Sequence, residues 1–177
     1  MEYLQGTYRV VKIRPGCMCD FTIECPEIAA LSKAGQFVHI RVPGFTLRRP
    51  ISICEVDKQA GTIRILFDIR GEGTKVLANT KEGDLLDVMG PLGNGFELLD
   101  PSKKAVVVGG GIGVPPMLET AKSYGENATA ILGFRSEDKI VLTDDFTAQK
   151  NRVMLCTDDG SAGHHGLVTD LLKVRME

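Results

Sequence analysis

Tryptophan is absent from this chain, no Cys-x-x-Cys pair occurs, and no apolar run reaches the roughly 18 residues of a membrane helix. Without a Cys-x-x-Cys pair, the commonest zinc and redox motifs are missing. The five cysteines are Cys17, Cys19, Cys25, Cys54 and Cys156. That is an odd number, and Met1-Glu2-Tyr3-Leu4-Gln5 lacks a signal-peptide pattern. A disulfide framework is therefore not expected, and the cytoplasm is the expected compartment. Cys17-x-Cys19-x5-Cys25 also lacks the spacing of zinc or iron–sulfur ligands. Small buried thiols in a β hairpin are expected there, and no metal site. A formal net charge of −2 gives no reason to expect nucleic acid or an anionic membrane as partner.

What is there is globular. The 177 residues are 43% hydrophobic and 25% charged, enough for one large domain or two small ones. Residues 1–100 read as all-β. Thr7 to Ile13 and Cys17 to Cys25 flank the turn Arg14-Pro15-Gly16. Gln36 to Val42, Pro50 to Val56, Thr62 to Ile69 and Leu85 to Met89 follow, a short-strand pattern that predicts an antiparallel barrel or sandwich. The pattern changes near Pro101. Ala105 to Val108 reads as a strand buried on both faces, and Ala128 to Phe134 and Val153 to Cys156 as further strands. Met117 to Tyr124, Asp144 to Lys150 and Gly166 to Val174 read as helices between and after them. Residues 101–177 are thus expected to form a parallel α/β lobe.

Three short motifs could carry chemistry. Arg49-Pro50-Ile51-Ser52 places a guanidinium and a hydroxyl about 10 Å apart on extended chain. Arg suits phosphate because its planar fork binds oxygens in pairs. Pro50 is expected to open the strand, leaving Arg49 in the loop before it. Arg48 competes for the phosphate role, and a solvated strand start is the plain alternative. Gly71-Glu72-Gly73-Thr74 precedes a short helical stretch, Lys75 to Asn79, and is either an anion site or a capped turn. Gly109-Gly110-Gly111-Ile112-Gly113-Val114-Pro115-Pro116 joins a strand to a helix, as a dinucleotide loop does, although Val114 stands where a third glycine is usual. Asp158, Asp159, His164 and His165 could bind a metal, but Asp-Asp-Gly-Ser is also turn chemistry.

Together these motifs, with Gly90 to Phe96 and Thr157 to Ser161, resemble the ferredoxin-reductase-like flavoproteins. The resemblance is closer to the electron-transfer subunits of NAD-linked (class 1B) dihydroorotate dehydrogenases. It implies an N-terminal antiparallel β-barrel FAD domain, then a parallel α/β nucleotide-binding lobe for NAD. By resemblance Arg49 holds the FAD pyrophosphate, Pro50 and Ile51 lie along the cofactor, and Ser52 faces its reactive edge. Leu66, Phe67 and Asp68 run beside it, Gly73 and Thr74 hold its phosphates, and Gly111, Ile112 and Gly113 line the nicotinamide side. The family often has Tyr-Arg where Phe67-Asp68 stands, so here a phenol is lost and a charge reversed. The resemblance also implies a catalytic dihydroorotate dehydrogenase subunit as partner and a [2Fe–2S] cluster on four C-terminal cysteines. No cysteine follows Cys156, so the chain reads as a shortened form whose NAD site is incomplete. An unpaired sheet edge in that lobe is expected to invite a homodimer. Two other readings share the motifs: the small subunit of an NADPH:ferredoxin oxidoreductase, and a subunit-interaction module without a working cofactor.

Overall fold

The computed structural model describes residues 3–176. The chain divides into two compact units, Met1–Phe96 and Glu97–Glu177. The first is a closed six-stranded antiparallel barrel. Its strands are β1 (Leu4–Arg14), β2 (Cys19–Glu24), β3 (Phe37–Ile40), β4 (Arg49–Asp57), β5 (Thr62–Phe67) and β6 (Leu85–Leu92). They close in the order β1-β2-β5-β4-β3-β6. Period-2 alternation sends Val10, Phe21, Ile23, Val38, Ile40, Ile51, Ile53, Ile63, Ile65 and Val88 inward. A bulge between Ile53 and Glu55 shifts the phase of β4, so Val56 is again buried. Two short helices complete the barrel core. Helix α1 (Pro26–Leu31) contributes Ile28 and Ala29, and α2 (Glu72–Leu77) contributes Leu77. Helix α1 has no counterpart in the sequence reading, and α2 starts three residues earlier than expected because extended Gly71 serves as its N-cap.

The second unit holds β7 (Ala105–Gly110), α3 (Pro115–Tyr124), β8 (Ala128–Phe134), α4 (Thr143–Ala148), β9 (Arg152–Thr157), β10 (His164–His165) and α5 (Val168–Met176). Its strands pair in parallel, in the order β10-β9-β8-β7. Strand β8 is buried at every position and forms the centre. The expectation that Ala105 to Val108 is buried on both faces is corrected, because β7 is an edge strand and Val106 is 42% exposed. Helix α4 stops at Ala148, and Lys150 turns left-handed with φ 64°.

The cysteines also differ from the expected hairpin thiols. Cys17 is exposed and Cys19 half-buried, while Cys25, Cys54 and Cys156 are buried. Burial pushes the Cys25 thiol up to about 12. Among the described residues, no helix is long and apolar enough to cross a membrane.

One charged cluster lies within the barrel wall. Asp20 accepts hydrogen bonds from Arg64 Nε at 3.0 Å and Nη2 at 2.6 Å, and from Arg14 Nη1 at 3.2 Å. Asp20 and Arg64 are only 7% and 6% exposed. Removing one partner of a buried pair leaves the other charge without full compensation. Asp20→Ala should therefore destabilise the barrel by about 3 kcal/mol in urea unfolding. A loss of less than about 1 kcal/mol, the range of an exposed pair, would contradict this reading.

Candidate functional site

The site begins where a ladder ends. Strands β4 and β5 pair from Asp57↔Thr62 back to Ile53↔Ile65, and no pairing extends past that point. Continuing the register would set Ser52 opposite Leu66 and Pro50 opposite Asp68. Instead β4 continues against β3 alone, through Phe37↔Ser52, Val38↔Ile51, His39↔Pro50 and Ile40↔Arg49. The barrel wall is therefore unzipped between residues 49–52 and 66–68. Backbone polar groups along such lips need water or a ligand. This also explains why proline is tolerated. Pro50 has no N–H, and at its position β4 has one neighbour instead of two.

Arg49 is the first residue of β4, so its expected place in the preceding loop is corrected. It keeps the inward phase of Ile51 and Ile53, but it lies at the barrel end. Its guanidinium sits against Gly73 of α2, where a Cβ would collide with Nε, Nη2 and Cζ. It also packs over the Phe45 ring at 5.0 Å and donates to the Leu47 carbonyl at 2.8 Å. Among the described residues, no carboxylate lies within ion-pair distance of it. Arg48 is different: its Nη2 donates to both carboxylate oxygens of Asp87, at 2.9 and 3.0 Å. Its Nη1 reaches the carbonyls of His39 and Asp87. The two arginines thus differ in their partners.

The remaining predicted residues fall around this opening. Ile51 belongs to the barrel core, so its side chain is not available to a ligand. Pro50 is exposed, and Ser52 is half-buried, with no side-chain hydrogen bond among the described residues. Phe67 points inward and meets Phe21 edge-on at 5.2 Å, and Leu66 is buried. Asp68 pairs with Arg70 at 3.4 Å, which offsets the reversed charge two residues later. The Cys19 thiol is pushed up, by burial first and the Asp68 carboxylate second. Thr74 Oγ1 accepts from the N–H groups of Arg70 and Gly71, at 2.8 and 3.1 Å, and donates to the Gly71 carbonyl at 3.0 Å. That hydroxyl is occupied by the turn. The N–H groups of the first helical turn have no intrahelical acceptor and remain for a ligand. Phe45 was not found from sequence, because nothing in its spacing ties it to Arg49.

The second unit carries the glycine-rich turn. At Gly109 a Cβ would strike the backbone of Gly113 and Val114, so the close chain crossing requires glycine. Gly111 is left-handed at φ 51°, and Gly111 and Gly113 face open space. Ile112 is 44% exposed. Pro115 and Pro116 begin α3 without N–H groups, so donors at this turn come only from the glycine segment. Asp159 accepts from the Ser161 N–H at 2.9 Å and hydroxyl at 2.6 Å, and these bonds hold it below the usual carboxylate value. This is the turn chemistry. Among the described residues, no group of three or more His, Cys, Asp or Glu side chains could hold a metal ion.

No family model matches the chain. Solved structures show its class. A NADH-dependent reduced ferredoxin-NADP oxidoreductase structure aligns over 96% of this chain and 63% of that one, with TM-score 0.85 and 31% identity. The ferredoxin reductase of a carbazole 1,9a-dioxygenase aligns over 98% and 57%, with TM-score 0.81 and 19% identity, a likeness of fold alone. The fold is therefore ferredoxin-reductase-like. The chain's sequence relatives are narrower. It is 45% identical over 153 residues to the dihydroorotate dehydrogenase B (NAD(+)) electron transfer subunit of Streptococcus mutans, covering 82% of this chain and 59% of that one. The same subunit of Bacillus caldolyticus is 38% identical over 164 residues, covering 88% and 63%. The chain is a homologue of these electron-transfer subunits, and it spans about three fifths of their length.

The two arginines should separate in a stability measurement. Arg48→Ala removes a part-buried bidentate pair and should cost about 2 kcal/mol in urea unfolding. Arg49→Ala should stay within about 0.5 kcal/mol of wild type. Equal losses would mean that Arg49 has the same structural role as Arg48.

Proposed function

We propose that the chain is an FAD-binding electron-transfer subunit. In this reading it takes electrons from dihydroorotate oxidation in a catalytic partner subunit and passes them to NAD, within pyrimidine biosynthesis. The observation that carries the reading is Arg49: a guanidinium without a carboxylate partner among the described residues, seated against Gly73 at the end of an unzipped barrel wall. The name and identity of the Streptococcus mutans and Bacillus caldolyticus relatives support it.

The residues present fit a flavin dinucleotide. Arg49 and the N–H groups of Gly73 and Thr74 would hold the pyrophosphate, and Gly73 must lack a side chain for Arg49 to keep its place. The Ser52 hydroxyl, with no side-chain hydrogen bond among the described residues, would donate to the ring edge. The backbone of Leu66, Phe67 and Asp68 would flank the opposite lip, since the Phe67 ring belongs to the core. Gly111, Ile112 and Gly113 would offer a flat, open surface to a nicotinamide ring. FAD, where bound, would supply the redox chemistry between the partner's electrons and NAD. The chain's own residues hold, orient and neutralise charge. Among the described residues, no group of His, Cys, Asp or Glu side chains fits a [2Fe–2S] cluster, and we assign it no step.

The likeness to the NADH-dependent reduced ferredoxin-NADP oxidoreductase structure favours a second reading, the small subunit of a complex that exchanges electrons with ferredoxin and NADPH. Comparing NADH with NADPH as reductant of the flavin-loaded protein separates the two.

Reconstitution tests the flavin reading. The purified protein should take up FAD and show visible flavin bands. Arg49→Ala should weaken FAD binding about 10- to 100-fold, the worth of a lost charge-assisted bond. A colourless protein that FAD does not reconstitute would overturn the proposal.

A further inference from the structure

The turn between β1 and β2 carries two thiols within three residues. The strands close at the Arg14↔Asp20 pair, and the chain bends at residues 16–18. The bend is tight: a Cβ on Gly16 would lie 3.7 Å from the Met18 carbonyl oxygen. Met18 is buried and anchors the turn. On one side of that anchor Cys17 is exposed, and on the other Cys19 is half-buried against the barrel core. Two residue steps span at most ~7 Å when extended and less in a bend. That brings the two Cα atoms into the roughly 4.4–6.8 Å range of disulfide-bonded pairs. Cys25, Cys54 and Cys156 are buried, so this turn holds the thiols within reach of a small reagent.

The turn lies at the same barrel end as Arg49. Strand β2 starts where β5 ends, at the Cys19↔Phe67 pair, and β4, antiparallel to β5, starts at that end too. Cys19 is therefore the outermost rung on a strand whose Phe67 and Asp68 flank the opening. Burial first, and the Asp68 carboxylate second, push the Cys19 thiol up. The thiolate is the reacting form in disulfide exchange. Exposed Cys17 is thus suited to attack first, and the covered Cys19 to attack second.

We propose that Cys17 and Cys19 form a site of reversible thiol–disulfide exchange, whose substrate is a low-molecular-weight disulfide such as glutathione disulfide. The Cys17 thiolate attacks one sulfur of the substrate. The substrate S–S bond breaks, and the first glutathione leaves with the proton that Cys17 gave up. Cys19 then loses its proton, attacks Cys17 Sγ and expels the second glutathione, which takes that proton. Two protein thiols are oxidised to one disulfide, and one glutathione disulfide is reduced to two glutathiones. Ring closure draws Cys19 toward Cys17 and off its rung with Phe67, so the lip beside the opening senses the state of the sulfurs. This last link rests on the flavin reading above, whereas the exchange itself does not.

The full chain, free of flavin, is incubated with excess glutathione disulfide and followed by mass spectrometry of the intact protein and its peptides. The wild type should lose two hydrogens, with the bond joining Cys17 to Cys19, and regain them in excess reduced glutathione. Cys19→Ser should stop with one glutathione bound. Cys17→Ser should react at least ~10-fold more slowly than the wild type. Should Cys19→Ser unfold, the wild-type linkage and Cys17→Ser decide the matter. No reaction of the wild type, a glutathione that stays bound without ring closure, or a linkage through Cys25, Cys54 or Cys156 overturns the site. The oxidised protein should bind FAD about fivefold more weakly than the reduced one, the low end of typical coupling between sites. Equal FAD affinity overturns the link to the opening and leaves the exchange site standing. Binding of FAD by neither form overturns the flavin reading, and the mass result is independent of it.

Discussion

The ion pair between Arg48 and Asp87 is the contact on which the site depends. It joins the start of β4 to β6 across the end of the barrel, and its Nη1 also ties down the carbonyl of His39 on β3. With that end fixed, the adjacent Arg49 has a defined origin, and its guanidinium is directed to Gly73 and Phe45. Two arginines of one sequence motif thus divide two roles. One is neutralised in the barrel wall, and the other has no carboxylate beside it among the described residues. The end of the β4–β5 ladder at Ile53–Ile65 then places that charge at an opening and not on a closed wall.

The two units solve the problem of backbone approach with the same residue. Gly73 lets a guanidinium press against a helix, and Gly109 lets a strand end cross the start of the next helix. In both places a methyl group would meet atoms that cannot move without dislodging the element. The Thr74 hydroxyl and the prolines of α3 have the complementary effect, since the hydroxyl donates within its own turn and the prolines carry no N–H. What remains at each turn is backbone N–H, which suits the anionic and flat parts of a dinucleotide.

Much of this was legible in the sequence. Short β-rich runs between turn residues marked the barrel strands, and alternation marked Gln36 to Val42, where one face is core. The glycine–proline turn before Met117 marked the strand–helix junction. Three features were not legible. Pro26 to Leu31 is too short to show helical periodicity. The apolar run Ala105 to Val108 reads alike for a central and an edge strand, since only strand order distinguishes them. Arg48 and Arg49 are alike locally, and the carboxylate that separates them lies 39 residues away. The candidate flavin residues were found from motif order, while the unzipped ladder that gathers them is a property of register between strands and has no local signature.

The central claim is that Arg49, and not Arg48, faces the pyrophosphate of a bound dinucleotide. The ³¹P resonances of FAD on the reconstituted protein test it most directly. The account predicts two pyrophosphate signals displaced from those of free FAD, displaced again strongly in Arg49→Lys and only slightly in Arg48→Lys. Signals that respond to Arg48 and ignore Arg49, or that coincide with free FAD, would contradict it.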